Sequence, residues 1–444
     1  MTTPICDFVR SYAEQKAIRL HMPGHKGTDI LGFEALDITE IDGADSLYEA
    51  DGIIAQSEAN ATHLFGCDTF YSTEGSSQCI RAMLYLACMG KTDEKPLVFA
   101  ARNAHKTFLS AAALVDFEVE WLYGSDEQSY LCCNITADYL EQKLSEAKTK
   151  PVAVYITSPD YLGNTADIKG LAQVCHNHGV LLLVDNAHGA YLKFLPQSQH
   201  PTDLGADLCC DSAHKTLPVL TGGAYLHISK NVAERFAPMA KNALAMFGST
   251  SPSYIILQSL DMANRYIASG YGNRLEQLCV KLQNIKENLT HKGFELLGNE
   301  PLKITVSTKS YGYTGAEIAD ILKEKNIVCE FCDPDFVVFM FTDGITVSQL
   351  QYFEDTMCSI PQKEALTAEC PKPCKAQKTM SVRQAAFSPC EDIPVEKSLG
   401  RVLAAASVGC PPAVPIVVCG EVIDRTANEC FKYYGIEKSC VVKE

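Results

Sequence analysis

Side chains able to do chemistry follow two short apolar runs that predict β-strands. Residues 179–185 (GVLLLVD) lead into 185–189 (DNAHG), and residues 206–210 (ADLCC) lead into 211–215 (DSAHK). A small polar turn at 73–77 (TEGSS) precedes a stretch whose apolar residues have helical spacing. Because the carboxyl ends of strands meet at one edge of an open α/β sheet, we expect a carboxylate, a lysine, a histidine and an anion-binding turn to share one crevice.

Pyridoxal phosphate (PLP) requires this set of groups. A lysine such as Lys215 forms a Schiff base with its aldehyde, and a carboxylate such as Asp185 keeps its pyridine nitrogen protonated, so that the ring accepts electrons. Backbone N–H groups and hydroxyls at a helix start, here Ser76 and Ser77, bind phosphate. Each motif alone has an ordinary structural explanation, such as a helix cap or a solvated loop. Their combination favours a PLP site.

Composition and charge exclude several other classes of protein. Among the 444 residues, 47% are hydrophobic, and 54 acidic against 38 basic residues give a net charge of −16. This balance argues against a nucleic-acid binder and mildly favours a cationic small substrate. We predict no membrane span, because no apolar run reaches about 18 residues. The N-terminal residues MTTPICDFVR lack the basic-then-apolar pattern of a signal peptide, so we expect a cytoplasmic protein. The 20 scattered cysteines predict buried thiols, and we expect no metal site.

The elements that must position the reactive residues alternate between strand and helix. Strands are predicted at 96–100, 118–122, 151–157, 179–185, 206–210 and 223–228. Helices are predicted at 52–66, 76–89, 104–115, 136–147 and 168–178. This alternation is typical of a mostly parallel, doubly wound α/β sheet.

A smaller α+β part is predicted beyond a long helical stretch at 253–291. Between 301 and 357 the order is strand, helix, strand, strand, helix, with IVCEF and DFVVFMF as the adjacent strands. A buried strand is also predicted around VPIVV near the C-terminus. We therefore divide the chain into an arm (1–20), a large PLP-binding domain (21–265), linking helices with a small domain (266–362), a linker (363–380) and a C-terminal segment (381–444).

The sequence resembles the PLP-dependent ornithine/lysine/arginine decarboxylases of the aspartate-aminotransferase fold (fold type I). The matching stretches are 21–27 (HMPGHKG), 45–75, 102–106 (RNAHK), 159–163, 184–190, 205–207, 212–215 (SAHK), 249–254 (STSPSY), 400–401 and 411–421. The resemblance implies decarboxylation of a basic amino acid by a homodimer with shared active sites. Because the chain begins just before residues 21–27, it resembles the short members that lack an N-terminal receiver-like domain.

The resemblance also implies a role for each matching residue. Lys215 would be the Schiff-base lysine, Asp185 the partner of the pyridine nitrogen, and His105 the ring that stacks on the cofactor. Glu330 would lie near the side chain of the substrate. The remaining cofactor contacts would come from Ser76, Ser77, Ala187, Ser212 and His214, with Ser249 or Thr250 reaching the phosphate of the other subunit.

Three residues depart from the family pattern and keep alternatives open. Glu74 stands where Asn is usual, Tyr48 follows Asp45-Ser46-Leu47 where His is frequent, and Asn186 replaces a Glu or Ser. The alternatives are another PLP reaction on the same fold (transamination, β-elimination or aldol cleavage) or a catalytically weakened PLP-binding protein. A transaminase would usually need an arginine clamp for the substrate carboxylate, and no motif assigns one. The sequence does not choose among lysine, arginine and ornithine.

Overall fold

The computed structural model describes residues 1–90, 95–124, 129–368, 371, 375–405 and 412–444. In these ranges the α-helices are α1 (Pro4–Glu14), α2 (Ile53–Phe65), α3 (Ser76–Cys88), α4 (Lys106–Val115), α5 (Ala137–Glu146), α6 (Ile168–Asn177), α7 (Ala213–Thr216), α8 (Ala233–Ala245), α9 (Tyr254–Ala268), α10 (Tyr271–Lys292), α11 (Gly315–Lys323), α12 (Val347–Ser359), α13 (Val382–Phe387) and α14 (Arg425–Tyr433). The strands are β1 (Asp68–Ser72), β2 (Leu97–Ala101), β3 (Glu118–Leu122), β4 (Ala153–Thr157), β5 (Leu181–Asp185), β6 (Leu208–Asp211), β7 (Ala224–Ile228), β8 (Glu295–Leu297), β9 (Lys303–Ser307), β10 (Phe331–Cys332), β11 (Phe336–Met340), β12 (Cys390–Pro394), β13 (Leu403–Ala405) and β14 (Lys438–Val442).

The chain divides into two compact units. The first unit comprises Met1–Gly90 and Cys175–Arg274. Its strands follow the order β1-β7-β6-β5, in which β5 and β6 are parallel and β7 is antiparallel to both of its neighbours. Residues 182–185 of β5 and all of β6 are buried, as expected of strands covered on both faces.

The second unit comprises Lys91–Val174 and Leu275–Glu444. Strands β4, β2 and β3 are adjacent and parallel, and β10-β11-β9-β8 and β12-β14-β13 form two antiparallel sheets. One apolar cluster of this unit packs α14 against β13 and β14 through Ala427, Phe431, Leu403 and Val441. Within the described ranges, no helix combines the length and the apolar composition needed to cross a bilayer.

Local chemistry accounts for several predicted boundaries. Helix α2 ends at Gly66, which has a φ of +73° and donates its N–H to the Thr62 carbonyl at 2.8 Å. A glycine adopts this left-handed conformation without steric cost, so the predicted helix stop is confirmed. The predicted break between two long helices near residue 270 is confirmed by the separation of α9 from α10.

Two predicted strands differ from the structure. Of IVCEF (327–331), only Phe331 belongs to a strand, which it forms with Cys332, because the N–H of Ile327 is already bonded to the Leu322 carbonyl at the end of α11. The VPIVV stretch is buried but is not a strand. Side chains form hydrogen bonds with its backbone instead. Arg102 donates to the carbonyls of Pro415 and Ile416, and Glu421 accepts from the Val418 N–H. Residues 369–370 and 372–374 of the predicted linker, and Pro411 of the matching stretch 411–421, lie outside the described residues.

Candidate active site

The reactive residues of the first unit lie at the carboxyl ends of two parallel strands. Asp185 is the last residue of β5, and Cys210, its partner in the strand register, is followed by Asp211 at the end of β6. The chain turns after Asp211 into the short helix α7, which carries His214 and Lys215. Strand pairing therefore brings the Asp185 segment and the lysine-bearing segment to the same edge of this unit, as the sequence spacing predicts.

Lys215 lies against a histidine that the sequence analysis did not select. Its Nζ is 2.9 Å from Nε2 of His188, and the His188 residue is only 5% exposed. An imidazole at this distance can accept a hydrogen bond from the ammonium group or exchange a proton with it. The position of His188, three residues after a strand-end aspartate, was the only sequence signal for this contact.

The carboxylate of Asp185 is held in a nearly dry position. The residue is 2% exposed, and its Oδ1 accepts the Ala187 N–H at 3.2 Å. The Cys210 thiol lies 3.7 Å from the same oxygen. Burial raises the pKa of Cys210, and the charge of Asp185 raises it further, so the thiol stays protonated and can donate to the carboxylate.

The small-residue turn forms a helix start suited to an anion. Gly75, at φ +72°, precedes α3 and offers no side-chain cap to the first N–H groups of the helix. The Gly75 N–H is bonded to the Gly222 carbonyl at 2.7 Å, which fixes the turn. Ser212 on the lysine-bearing segment donates its hydroxyl to the Ser76 hydroxyl at 2.7 Å. Hydroxyls from both segments therefore meet at the N-terminus of a 13-residue helix, an arrangement that fits a phosphate group.

His214 keeps a neutral ring beside this turn. Its Nδ1 lies 3.0 Å from the Gly223 carbonyl, so this nitrogen carries the proton and donates it. Burial lowers the pKa of the ring, and the neighbouring Lys215 charge lowers it further, although the bond to Gly223 acts in the opposite direction. In this uncharged imidazole, Nε2 is left as an acceptor toward a ligand.

Two of the departures from the family pattern make specific contacts in the first unit. Glu74 accepts the Ser249 N–H through Oε1 at 2.7 Å, which ties the exposed 249–250 segment to the anion-binding turn. The hydroxyl of Tyr48 accepts from Nε2 of Gln78 in α3 at 2.8 Å. A Cβ at Gly248 would lie 2.0 Å from that hydroxyl, so the glycine makes room for the tyrosine. These contacts show that Glu74 and Tyr48 support the segments around the turn.

His105 and Glu330 lie in the second unit. His105 is the N-cap of α4, where its Nδ1 accepts the Thr107 N–H at 3.1 Å. Glu330 is exposed and precedes the two-residue strand β10, and its Oε1 accepts from the Tyr161 hydroxyl at 2.9 Å. Glu330 also lines a cavity of about 330 Å³ together with Cys329, Phe339 and Tyr352. The roles assigned to His105 and Glu330 remain predictions.

Comparison with known proteins places the chain in a family of decarboxylases. Residues 3–299 match the family model of the Orn/Lys/Arg decarboxylase major domain. The chain therefore belongs to this family and is a decarboxylase of basic amino acids, as the sequence predicts. An arginine decarboxylase of Bacillus subtilis is 29% identical over 95% of this chain and 91% of its own length. The constitutive lysine decarboxylase of Escherichia coli is 23% identical over 78% of this chain and 58% of its own length.

Solved structures confirm the predicted fold class. The Escherichia coli constitutive lysine decarboxylase superposes with a TM-score of 0.80 at 18% identity, covering 100% of this chain and 82% of that chain. A lysine decarboxylase of Francisella novicida gives 0.81 at 14% identity, with 99% and 81% coverage. The serine palmitoyltransferase of Sphingomonas wittichii is more distant, at 0.56 and 12% identity, with 79% and 82% coverage. The fold is that of the fold-type-I enzymes.

Proposed function

We propose that this protein decarboxylates arginine with pyridoxal phosphate attached to Lys215. The observation that carries the proposal is the placement of Lys215 and the buried Asp185 at the ends of two adjacent parallel strands, beside the start of α3. The side chains fit the cofactor: they offer an amine for its aldehyde, a carboxylate for its ring nitrogen, and hydroxyls at a helix N-terminus for its phosphate. Arginine is favoured because several relatives that match along nearly the whole chain are named arginine decarboxylases.

Bound pyridoxal phosphate would supply an electron sink for the electron pair left on the α-carbon when carbon dioxide departs. Asp185, as an anion in a nearly dry position, would hold a proton on the ring nitrogen. Lys215 would bind the cofactor between turnovers, and His188 is placed to hold or return a proton at the Lys215 amine. Ser76, Ser77, Ser212 and His214 would orient the phosphate, while Ala187 and His105 would contact the ring.

The test is a direct assay with three substrates. Purified protein supplied with pyridoxal phosphate is incubated separately with arginine, lysine and ornithine, and carbon dioxide and the corresponding amine are measured. We expect both products in equal amounts, fastest from arginine. Lysine or ornithine as the preferred substrate would reject the choice of arginine and leave the reaction standing.

The same assay separates the alternative reactions. Production of a keto acid without carbon dioxide would indicate transamination, and release of ammonia or an aldehyde would indicate elimination or aldol cleavage. Cofactor binding with none of these products would indicate a weakened PLP-binding protein. We place decarboxylation first because the family match covers both Lys215 and Asp185.

Glu330 and Asp333 are the acidic residues that we propose for the cationic end of the substrate. One Asp333 oxygen, Oδ2, is buried without a hydrogen-bond partner, and burial raises the pKa of this group to about 6. Glu330 is exposed, and its Oε1 is already bonded to Tyr161. A charge-assisted hydrogen bond from a guanidinium or ammonium group would satisfy such an acceptor.

Replacing Glu330 with glutamine tests this anchor. We expect a loss of roughly tenfold in kcat/KM for arginine, at the lower end of what a hydrogen bond to a charged group contributes, because Glu330 is exposed. The variant is compared on arginine and on norleucine, a neutral analogue, by carbon dioxide release. Glu324→Gln, which removes an exposed carboxylate at the end of α11, is the matched control. An equal loss on both substrates, or none, would show that Glu330 is not the anchor.

We further propose that the working protein is a homodimer in which Ser249 or Thr250 of one subunit reaches the phosphate of the other. Two features support it. Both residues are exposed, and the segment 18–33 carries apolar side chains with large exposed fractions: Ile18 (88%), Leu20 (89%), Met22 (67%), Ile30 (70%) and Leu31 (73%). Burial of such a patch against a second copy would remove a large apolar area from water.

Light scattering coupled to size exclusion checks the dimer. We expect the mass of two chains at micromolar concentration, and we expect the double variant Leu20→Asp/Leu31→Asp to shift the protein toward a monomer with little activity. Leu399→Asp, which charges a 59% exposed leucine of the second unit, should stay dimeric. An active wild-type monomer would refute the shared site.

A further inference from the structure

A fully buried polar cluster lies directly behind the candidate active site in the first unit. We call it the Asp211 cluster; its members are Asp211, Asn186, His200 and His227, each 0% exposed. One carboxylate oxygen of Asp211 accepts from Nδ2 of Asn186 at 2.7 Å. The other oxygen is bonded to Nε2 of His200 at 3.1 Å and to Nε2 of His227 at 3.0 Å. Both carboxylate oxygens of Asp211 therefore have hydrogen-bond partners within the cluster.

Hydrogen-bond directions define the charges of the cluster. Nδ1 of His200 faces the Thr202 N–H at 3.4 Å and the Thr202 hydroxyl, which can donate to it, at 2.8 Å, so we assign the proton of this neutral ring to Nε2. Thr69 donates its hydroxyl to the Cys67 carbonyl, so its oxygen is left to accept from Nδ1 of His227. His227 then carries protons on both nitrogens. The cluster is an ion pair between Asp211 and His227, with His200 as a neutral donor.

The pKa directions agree with this assignment. Burial alone would lower the pKa of His227, but the charge of Asp211 raises it to about 9. Burial lowers the pKa of His200, which keeps that ring uncharged. For Asp211 the two histidines outweigh burial and hold its pKa well below the usual range. At neutral pH the Asp211 carboxylate is therefore ionised, its charge is balanced by His227, and it accepts a hydrogen bond from Asn186.

The Asn186 side chain connects this acceptor to the catalytic turn. Asn186 follows Asp185, and its carbonyl accepts the Gly189 N–H at 2.8 Å, which closes the turn that carries His188. A Cβ at Gly189 would lie 2.0 Å from Oδ1 of Asn186, so the amide packs against the glycine backbone. The amide is thus fixed on one side by Gly189 and on the other by Asp211.

We propose that Asp211 is a positioning residue: through Asn186 it fixes the turn that presents Asp185 to the cofactor ring and His188 to Lys215. This inference rests on the proposed function, because it assigns a purpose to Asp211 only if the turn serves a cofactor. Asp211 would touch neither substrate nor cofactor. It binds the end of β6 to the turn after β5, so the lysine-bearing and aspartate-bearing segments keep one relative position.

A metal ion is the competing explanation for these residues. His200, Cys209 and Asp211 bring ligand-type atoms within 4.8 Å of one another. However, the nitrogens of His200 and His227 that face Asp211 both carry protons bonded to its carboxylate, and burial together with the Asp211 charge raises the pKa of Cys209 well above its usual value. A metal would have to displace all of these protons. Without a metal, both oxygens of Asp211 already accept hydrogen bonds within the cluster.

Exchange of the two side chains tests the proposal. In the double variant Asn186→Asp/Asp211→Asn, the amide at 211 can donate to the new carboxylate at 186 and still accept from the histidines. Asn186→Asp alone places two carboxylates 2.7 Å apart, and Asn186→Ser, the milder variant, removes the amide that reaches Asp211. Each holoenzyme is measured for the pH titration of its visible cofactor absorbance, for kcat and KM with arginine, and for melting temperature; each apoprotein is measured for its Kd for pyridoxal phosphate.

We expect Asn186→Ser to lower kcat and weaken cofactor binding by roughly tenfold, the lower end of the value of a hydrogen bond to a charged group, with KM for arginine nearly unchanged. The pH titration of the cofactor absorbance should shift in Asn186→Asp and in Asn186→Ser. It should return toward that of wild type in Asn186→Asp/Asp211→Asn. A purely structural role would lower the melting temperature of Asn186→Ser without moving the titration or Kd, and that outcome would overturn the proposal. One bound metal ion per chain, measured by elemental analysis, would overturn it as well. If no amino acid is decarboxylated, the absorbance and Kd still report on the turn, so failure of the proposed function is distinguishable.

Discussion

Replacing Lys215 with alanine is expected to lower the rate of decarboxylation by at least about 10²–10⁴-fold, which is the range that a positioned proton-transferring side chain contributes. The loss should be larger than for any other single residue, because Lys215 is assigned both the covalent attachment of the cofactor and the return of a proton beside His188. Carbon dioxide release from arginine measures the rate. The fold should survive, since α7 already ends one residue later and its start is fixed by the Lys215 N–H bonded to the Ser212 carbonyl.

Covalent attachment gives a second measurement of the same assignment. Wild-type protein should show a visible absorbance that borohydride reduction makes permanent, and peptide mapping should find the modified residue at Lys215. Lys230→Ala, which removes an exposed lysine after β7 in the same unit, is the matched control and should retain both absorbance and activity. A cofactor-modified peptide that contains a different lysine would reject the site.

Features encoded by nearby residues were predictable from the sequence. Gly66 ends α2 through its own left-handed conformation, and the apolar runs before Asp185 and Asp211 form β5 and β6 because such runs can be buried on both faces. Once these strands are parallel neighbours, the positions of Asp185 and Lys215 at one edge follow from topology. The central part of the candidate site therefore required little beyond strand periodicity and the family resemblance.

Features that depend on contacts between distant residues were not predictable. The pairing of Lys215 with His188 and the bonds of Asp211 to His200 and His227 arise from side-chain directions that no local pattern encodes. The stretch VPIVV has strand composition, yet its backbone is hydrogen-bonded to the side chains of Arg102 and Glu421. Arg102 lies far earlier in the chain, and Glu421 lies just after the stretch. Composition predicts burial in that case but not the identity of the hydrogen-bond partners.

The departures from the family pattern have a consistent physical explanation in the structure. Asn186 is matched by the Asp211 carboxylate, Glu74 by the Ser249 N–H, and Tyr48 by Gln78. Each unusual residue is thus bonded to a segment that also carries a predicted cofactor contact. This pattern favours a retained site with altered supports over a site that has lost its function.

Replacing Asp185 with asparagine is the second change expected to have a large effect. A carboxylate beside the ring nitrogen favours its protonated form, and each pKa unit of that preference corresponds to about 1.4 kcal/mol. If the carboxylate supplies roughly two units, its loss should lower kcat about hundredfold. The fold should be retained, because asparagine keeps an oxygen that can accept the Ala187 N–H, which Asp185 now holds at 3.2 Å.

The Asp185 variant also separates an electronic role from a structural one. An electronic role predicts a lower kcat and an altered pH titration of the visible absorbance, while Lys215 still binds the cofactor and the melting temperature stays near that of wild type. Asp203→Asn, which breaks a surface ion pair with Lys193 in the same unit, controls for the loss of one negative charge and should leave the rate unchanged. Near-normal turnover in Asp185→Asn would mean that another group protonates the ring nitrogen. Because Asp185 is 2% exposed, no solvent-facing carboxylate could take its place without a rearrangement of the turn at residues 185–189, which the Asp211 cluster holds.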